Sequence, residues 1–161
     1  MMELRKVDSN NIWKIIKLSV NDNQLDFVAT NTESILEAYT TITAGGVALP
    51  FGIYNNDTLV GFVMFGYDTN GDDDEPNISV GNYCIWRLMI DKTYQGQGLG
   101  KKALQASIEY LRSEPCGRAT YCWLSYEPEN VVAKALYNSM GFSENGEMCG
   151  EEIVAMLQLF D

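Results

Sequence analysis

One stretch of the chain, residues 86–102, combines a strand, a glycine-rich turn and a helix, and it constrains the fold more than any other segment. A short apolar run at 88–90 predicts the end of a strand, and the turn that follows holds three glycines within positions 96–100. Apolar residues at helical spacing then predict a helix over residues 99–112. Glycines let a ligand approach the backbone, and the first N–H groups of a helix have no partner within it. The order strand, turn, helix therefore predicts a pocket for an anion such as phosphate.

Spacing separates this turn from two nucleotide-binding loops. The dinucleotide pattern GxGxxG, started at Gly96, requires a glycine at the position of Lys101, and the nucleoside triphosphate loop GxxxxGK(S/T) requires a glycine there too. The pattern that fits is Q/R-x-x-G-x-G/A, with Gln95, Gly98 and Gly100. A glycine turn that only joins a strand to a helix is the alternative. The preceding strand, the following helix and two lysines favour the anion site.

Size and charge limit the classes of protein that this chain can be. Its 161 residues suit one globular domain over residues 1–161. No apolar run approaches the ~18 residues that cross a bilayer, and residues 1–6 lack the apolar core of a signal peptide, so we expect no membrane partner and a cytoplasmic location. The net charge of −11 argues against a nucleic-acid partner. It suits either the attraction of a cationic substrate or ordinary solubility.

Cysteine and histidine usage excludes further chemistry. The four cysteines have no C-x-x-C spacing and histidine is absent, so we expect no metal site and neither Ser-His-Asp nor Cys-His catalysis. Proton transfer then requires carboxylates, tyrosine, lysine or water. The acidic run at residues 72–75 predicts an exposed loop, which either attracts cations or is simply solvated.

The rest of the chain alternates between helical and strand patterns, which indicates an α/β fold. Further helices are predicted to begin after residues 8–10 and to span 33–41 and 130–140, and the strands are predicted over 3–7, 51–54, 59–65, 80–90, 119–124, 142–148 and 153–160. The first of these helices is expected to reach Leu18. The apolar side of the second is predicted to be Ile35, Leu36, Ala38, Tyr39 and Ile42. Hairpins at both ends make most strand pairing antiparallel.

The helix over residues 130–140 carries a polar face. Asn130, Ala133 or Lys134, and Tyr137 are separated by three, four and seven residues, so they share one side of the helix. The core side is predicted to contain Val132, Ala135, Leu136 and Met140. Asn130 and Tyr137 therefore point together towards something polar.

The loop and the polar helix occur together, in this order, in one known family. Gln95-x-x-Gly98-x-Gly100 and Asn130-x-x-Ala133-x-x-Leu136-Tyr137-x-x-x-Gly141-Phe142 resemble the motifs of the GNAT family, the GCN5-related N-acetyltransferases. The segments 24–31, 34–39, 86–91 and 124–130 resemble more closely its bacterial spermine/spermidine acetyltransferases of the BltD-like kind. The resemblance implies a central mixed, mostly antiparallel sheet of six to seven strands flanked by about four helices, with two strands splayed at the coenzyme A site.

The resemblance also implies acetyl-CoA as the cosubstrate and assigns residues to it. Leu88, Met89 and Ile90 would lie along the pantetheine arm, with the backbone groups of the first and third pairing with its amides, and Asn130 would bond to the same arm. The pyrophosphate would be held by the N–H groups of Gln95, Gly96, Gln97, Gly98, Leu99, Gly100 and Lys101. Tyr137 would donate a proton to the leaving thiolate as general acid. Transfer would be direct from thioester to amine, with no acyl-enzyme.

The implied acceptor is a small cationic amine, with polyamines such as spermine and spermidine the leading candidates. Its candidate contacts are Asp26, Phe27, Glu33, Trp86, Tyr126 and Glu127. Trp86 would either offer its ring face to an ammonium or pack in the core.

No general base carries over from the resemblance, because Trp86 and Arg87 stand where better-known polyamine acetyltransferases have acidic residues. The candidates that act through water are Glu127, Glu33, Glu37 and Asp26. The sequence leaves three other matters open: a GNAT enzyme for an amino acid, an aminoglycoside or a protein N-terminus, a non-catalytic acyl-CoA sensor, and a homodimer.

Overall fold

A seven-stranded sheet forms the centre of the computed structural model, which describes residues 1–71 and 73–161. The strands are β1 (Met2–Lys6), β2 (Ala48–Asn55), β3 (Thr58–Tyr67), β4 (Tyr83–Ile90), β5 (Tyr121–Tyr126), β6 (Ser143–Cys149) and β7 (Glu152–Gln158). The α-helices are α1 (Ile12–Ile15), α2 (Asn31–Thr43), α3 (Leu99–Arg112) and α4 (Val131–Ser139). The strand order is β1-β2-β3-β4-β5-β7-β6, and among the described strands only β4 and β5 pair in parallel. The predicted mixed, mostly antiparallel α/β sheet with four helices is confirmed.

The two faces of the sheet have separate cores. One face is covered by α3 and α4, and Ile85, Ile90, Leu124 and Tyr126 are buried beneath them. The opposite face packs Phe62, Met64 and Met89 against α1 and α2. Because successive side chains of a strand point to opposite faces, neighbouring residues of β4 and β5 serve different cores.

Helix α3 begins and ends where the sequence predicts, at Leu99 and Arg112. Its buried residues are Leu99, Ala103, Leu104, Ser107, Ile108 and Leu111, which recur every three to four positions. This spacing produces one buried stripe on the sheet. The other predicted elements differ from the observed bounds by at most three residues at either end.

Two predictions on the α1/α2 face are wrong. Helix α1 ends at Ile15 and does not reach Leu18, and Trp13 on it is 69% exposed. On α2 three of the five residues expected to face the core, Leu36, Tyr39 and Ile42, are 61%, 68% and 54% exposed.

The prediction is confirmed for Ala38, which is buried, and for Ile35, which packs against the core; the other buried residues of α2 are Asn31 and Ser34. Asn31 Nδ2 donates a hydrogen bond to the Ile15 carbonyl at 2.9 Å, which ties α2 to the end of α1. Small and hydrogen-bonded residues thus make most of this contact, with Ile35 packed beside them, while the other large apolar residues of the predicted side lie outside it.

Within the described part of the chain, no helix has the length and apolar character needed to cross a membrane. The same residues contain no group of three His, Cys, Asp or Glu side chains that could hold a metal ion. Of the predicted acidic loop, Asp72 lies outside the described residues, and Asp73, Asp74 and Glu75 belong to the connection between β3 and β4.

Candidate active site

The parallel strands β4 and β5 separate after a short contact, and a cavity of about 560 Å³ opens between them. Their pairing joins Tyr83 to Cys122 and Cys84 to Trp123, and it goes no further. Beyond Cys84 the strand β4 continues to Ile90 without β5 beside it. The separation leaves one edge of β4 open to a ligand.

A β-bulge at Trp86 accompanies this separation. On β3, Met64 pairs with Arg87 and the next residue, Phe65, pairs with Ile85, so Trp86 has no partner. Such an extra residue bends a strand and increases its twist, which turns the second half of β4 away from β5. Trp86 itself lines the cavity and packs against the cores of the α1/α2 face.

The open edge of β4 presents backbone groups to the cavity. Asp91 donates its N–H to the Val60 carbonyl of β3 at 2.8 Å. Because peptide groups alternate along a strand, those of Leu88 and Ile90 point the other way, into the gap. Met89 also lines the cavity, but its peptide groups face β3 and its side chain is buried in the opposite core. The usable groups are therefore those of Leu88 and Ile90.

The glycine loop adopts the conformation that its sequence requires. Gly96 and Gly98 have φ values of +80° and +75°, and Gly98 is the N-cap of α3. A residue with a Cβ avoids this left-handed region. Gly96, Gly98, Leu99 and Gly100 line the mouth of the cavity, where the free N–H groups of α3 begin. Gln97 and Lys101 are exposed and lie outside the lining.

The side chain of Gln95 joins this loop to the segment after α1. Its Nε2 donates to the Ile90 carbonyl at 2.9 Å and to Gln24 Oε1 at 3.0 Å. Its Oε1 accepts from Asn21 Nδ2 at 2.9 Å. The amide of Gln95 is thus used to hold the loop, and its N–H remains the group suited to an anion.

Asn130 and Tyr137 both line the cavity, as the motif predicts, but Asn130 precedes the helix as its N-cap. Its Oδ1 accepts from the Ala133 N–H at 3.2 Å, and no hydrogen bond of the described residues engages its Nδ2. The predicted core side of α4 is wrong for Val132 and Ala135, which are exposed. The helix packs through Ala133, Leu136, Tyr137 and Met140, which have helical spacing and partly buried side chains.

The Tyr137 ring lies between Tyr126 and Phe142, with ring centroids 5.9 Å and 6.0 Å away. Burial raises the pKa of Tyr137 to about 12, and the charge of Glu152 and the Tyr126 hydroxyl add to this rise. None of the hydrogen bonds among the described residues engages its hydroxyl. Tyr137 therefore keeps its proton at neutral pH and presents it as a donor.

Tyr126 is a fixed wall of the cavity. It is buried, and its hydroxyl donates to Glu144 Oε1 at 2.8 Å. Lys134 Nζ lies 3.3 Å from the same oxygen, so three elements, β5, α4 and β6, are joined here. Burial and the hydrogen bond to Glu144 raise the pKa of Tyr126 to about 12.

The remaining candidate contacts of the acceptor fall into two groups. Asp26, Phe27 and Glu127 line the cavity together with Trp86. Glu33 does not: it is exposed in the first turn of α2, where its N–H is capped by Thr30. Glu37, a candidate base, forms an ion pair at 3.0 Å with Nη2 of Arg87. That contact occupies its carboxylate.

Sequence reasoning missed two charged residues of the cavity, Arg87 and Glu152. Arg87 lies directly before the predicted strand end, but its partner Glu37 is 50 residues away. Glu152 Oε1 accepts a hydrogen bond from Ser125 Oγ at 2.9 Å. Glu152 could be identified only from the pairing of β5 with β7. Because Tyr126 pairs with Ile153, residues 127 and 152 lie opposite each other on the two strands.

The cavity therefore has two sides. We call residues 95–101 with the start of α3 the loop side, and Asp26, Glu127 and Glu152 the acidic side. Partial burial raises the pKa of the Glu127 carboxyl, and the negative charges of Glu152, Glu129 and Glu151 raise it further. The arrangement offers N–H donors to an anion at one side and carboxylates to a cation at the other, and Tyr137 of α4 lines the same cavity.

Comparisons with known proteins agree on one family. A profile described as the Acetyltransferase (GNAT) family matches residues 15–142. The spermine/spermidine N(1)-acetyltransferase of Bacillus subtilis strain 168 is 34% identical over 148 residues, which are 91% of this chain and 91% of that protein. The [ribosomal protein bS18]-alanine N-acetyltransferase of Escherichia coli K12 is 42% identical over 60 residues, 37% of this chain and 38% of that protein.

Among solved structures, the aminoglycoside acetyltransferase AAC(6')-Ib in complex with coenzyme A superimposes with a TM-score of 0.78 at 17% identity. The match covers 98% of this chain and 95% of that one. The PaiA N-acetyltransferase of Thermoplasma acidophilum, also in complex with coenzyme A, gives 0.65 at 15% identity over 98% of this chain and 99% of that one. At these identities the likeness shows the fold.

Proposed function

Because the chain belongs to the GNAT family of acetyltransferases, with acetyl-CoA as its cosubstrate, we propose that it acetylates a primary amine of a polyamine such as spermine or spermidine. The observation that carries this proposal is the two-sided cavity through the splayed strands, with N–H donors on the loop side and carboxylates on the acidic side. The likeness to a spermine/spermidine acetyltransferase along nearly the whole chain supports the choice of polyamine.

The donor would be held mainly by backbone groups. The N–H groups at Gln95–Lys101 and the positive end of α3 suit a pyrophosphate. The open edge of β4 suits the amides of the pantetheine arm, through the N–H and C=O of Leu88 and the N–H of Ile90. Asn130 Nδ2 would donate to the same arm. Acetyl-CoA supplies a thioester whose acetyl carbon an amine can attack.

Tyr137 would act on the departing sulfur. A free thiol has a pKa of about 8.5, well below the value of about 12 for this tyrosine, so the hydroxyl stabilises a forming thiolate first by donating a hydrogen bond. The N–C bond would form first, and the C–S bond would break as the tetrahedral adduct collapses. Counted from the ammonium, the nitrogen loses two protons in the reaction. One is taken up by the thiolate of coenzyme A, and the other is released to water.

The acceptor would approach from the acidic side. An alkylammonium has a pKa of about 10.4, so it must lose a proton before its lone pair can attack. Carboxylates of Asp26 and Glu127 would attract the cation and pass its proton to water. The Trp86 and Phe27 rings line the same cavity and suit the aliphatic chain of a polyamine. The net charge of −11 adds a long-range attraction for a polycation.

A thiol-release assay over a panel of amines tests the proposal. The panel contains spermine, spermidine, an aminoglycoside, a free amino acid and a peptide with an alanine N-terminus, each with acetyl-CoA. We expect the highest kcat/KM for the polyamines. Preference for another member would overturn the polyamine assignment and leave the enzyme class intact. No release with any amine, alongside a thermal shift with CoA, would instead favour an acyl-CoA sensor.

A further inference from the structure

Glu152 is an acidic residue of the cavity to which the proposed function assigns no role. It is the first residue of β7, and the pairing of Tyr126 with Ile153 and of Ser125 with Val154 places it across from Glu127. By alternation along the two strands, Ser125, Glu127 and Glu152 point to the face where Trp123 and Val154 are buried. Tyr137 lies on the opposite face, with the core beneath α3 and α4.

The cavity connects these two faces through the gap between β4 and β5, and both Glu152 and Tyr137 line it. Their separation is small enough for the charge of Glu152 to add to the raised pKa of Tyr137. A group at the Tyr137 hydroxyl is therefore within electrostatic reach of the Glu152 carboxylate across the gap. This is where the acceptor nitrogen has to meet the thioester.

The carboxylate of Glu152 is held in place and remains able to accept. Ser125 Oγ donates to Oε1 at 2.9 Å, and the hydrogen bonds of the described residues leave Oε2 without a donor. Ser125 is itself fixed by the β5–β7 ladder and also lines the cavity. A neutral hydroxyl orients the carboxylate without cancelling its charge. In this it differs from Glu37, whose carboxylate is paired with Arg87.

From this placement we propose that Glu152 binds the cationic nitrogen of the acceptor opposite Tyr137, and that Ser125 is the positioning residue for its carboxylate. The inference rests on the proposed function. The ligand class is an amine with more than one positive charge, because Glu127 and Glu152 repel each other and a cation between them relieves that repulsion.

The test measures acceptor binding and turnover separately. Spermidine is titrated calorimetrically into protein saturated with CoA, and acetylation of spermidine is followed in parallel. Glu152→Gln keeps the shape and removes the charge, and we expect Kd and KM to rise about tenfold or more, the effect of a lost charged hydrogen bond. Ser125→Ala should raise KM about threefold with little change in kcat, and Ser125→Thr should restore it.

Glu151→Gln is the matched control, since Glu151 is the exposed chain neighbour and lies outside the cavity lining. Its Kd should stay within about twofold of the wild type, and CoA affinity and Tm should hold in all variants. Unchanged spermidine binding by Glu152→Gln, or no binding by the wild type, would overturn the inference. Wild-type binding that depends on Glu152 without acetylation would leave the inference standing and defeat the proposed function.

Discussion

The loop side of the cavity is made mostly of backbone groups from one continuous segment, whereas the acidic side is made of side chains from three distant ones. Residues 95–101 and the start of α3 are adjacent in the chain, and two positive φ values set their shape. Asp26, Glu127 and Glu152 come from distant segments and line one cavity, the last two through the pairing of β5 with β7. The backbone groups of the loop side do not depend on the identity of most side chains there. The acidic side is made of side chains, so substitutions can adapt it to a different acceptor.

Tyr137 lines the cavity shared by the two sides, and its loss should have the largest effect. We expect Tyr137→Phe to lower kcat about 100-fold, the scale of a lost general acid, with CoA affinity unchanged. Because the pKa of Tyr137 is raised to about 12, the wild-type rate should show no loss from its ionisation up to about pH 10. Steady-state kinetics over pH and a CoA titration check both points.

Tyr39→Phe is the control for this change, since Tyr39 is 68% exposed on α2. It should leave all constants unaltered. A wild-type kcat for Tyr137→Phe would show that the Tyr137 hydroxyl takes no part in the reaction.

Backbone shape should matter more than side chains on the loop side. Gly98→Ala puts a Cβ at φ +75°, which costs about 1–2 kcal/mol, so we expect Kd for CoA to rise about tenfold. Gln97→Ala, one residue away and exposed, should change Kd less than twofold. Calorimetry with CoA compares the two. Equal effects would contradict a backbone site.

Gln95 joins the loop side to the segment that carries Asp26, so its removal should affect both ligands. Gln95→Ala loses the hydrogen bonds to Ile90, Gln24 and Asn21. The bond to Ile90 is the one that ties the loop to β4, and at about 1 kcal/mol net it gives roughly a fivefold rise in Kd for CoA. A smaller rise in KM for spermidine should accompany it. Gln105→Ala, on the exposed side of α3, is the control. An effect on CoA alone would show that the two sides are independent.

The smallest effect concerns Glu127, where binding and stability should change in opposite directions. Glu127→Gln should raise KM for spermidine a few-fold, and Glu33→Gln, outside the cavity, should not.

The effect of Glu127 on stability follows from its pKa. Burial and like charges raise that pKa in the folded protein, so the folded state loses stability as pH rises through it and the charge appears. The Gln variant avoids this loss. Its Tm should therefore be slightly higher than the wild type at pH 7, and the difference should vanish below about pH 4, where the unfolded glutamate is protonated too. A lower Tm at pH 7 would contradict the raised pKa.

The sequence predicts the sheet and the loop side well because both depend on local signals. The glycines indicate the turn, and α3 is indicated by the spacing of Leu99, Ala103, Leu104 and Ile108. It fails on α2, where Leu36 and Tyr39 have helical spacing but face outward. There the contact is set by Asn31 bonding to the end of α1, which periodicity cannot reveal.

The acidic side was predictable only in part for a similar reason. Glu127 is suggested by the motif that ends in Asn130, but Glu152 depends on the pairing of Tyr126 with Ile153. Glu33 was expected at the acceptor and lies outside the cavity, because Thr30 caps α2 and directs its first turn to solvent. The position of Glu152 depends on long-range strand pairing and that of Glu33 on the orientation of α2, and a short sequence pattern indicates neither.

The bulge at Trp86 is one extra residue of β4, and it lies where the sheet opens into the cavity. Ile85 and Leu88 lie on the same face despite their odd spacing, because the extra residue is absorbed at one point. A chain without Trp86 would keep every later side chain of β4 on its present face. It would lack the bulge, and with it the local bend and twist that accompany the separation from β5. The extra residue thus has two consequences at once: it accompanies the opening of the strand pair, and its ring fills space in the cores of the α1/α2 face.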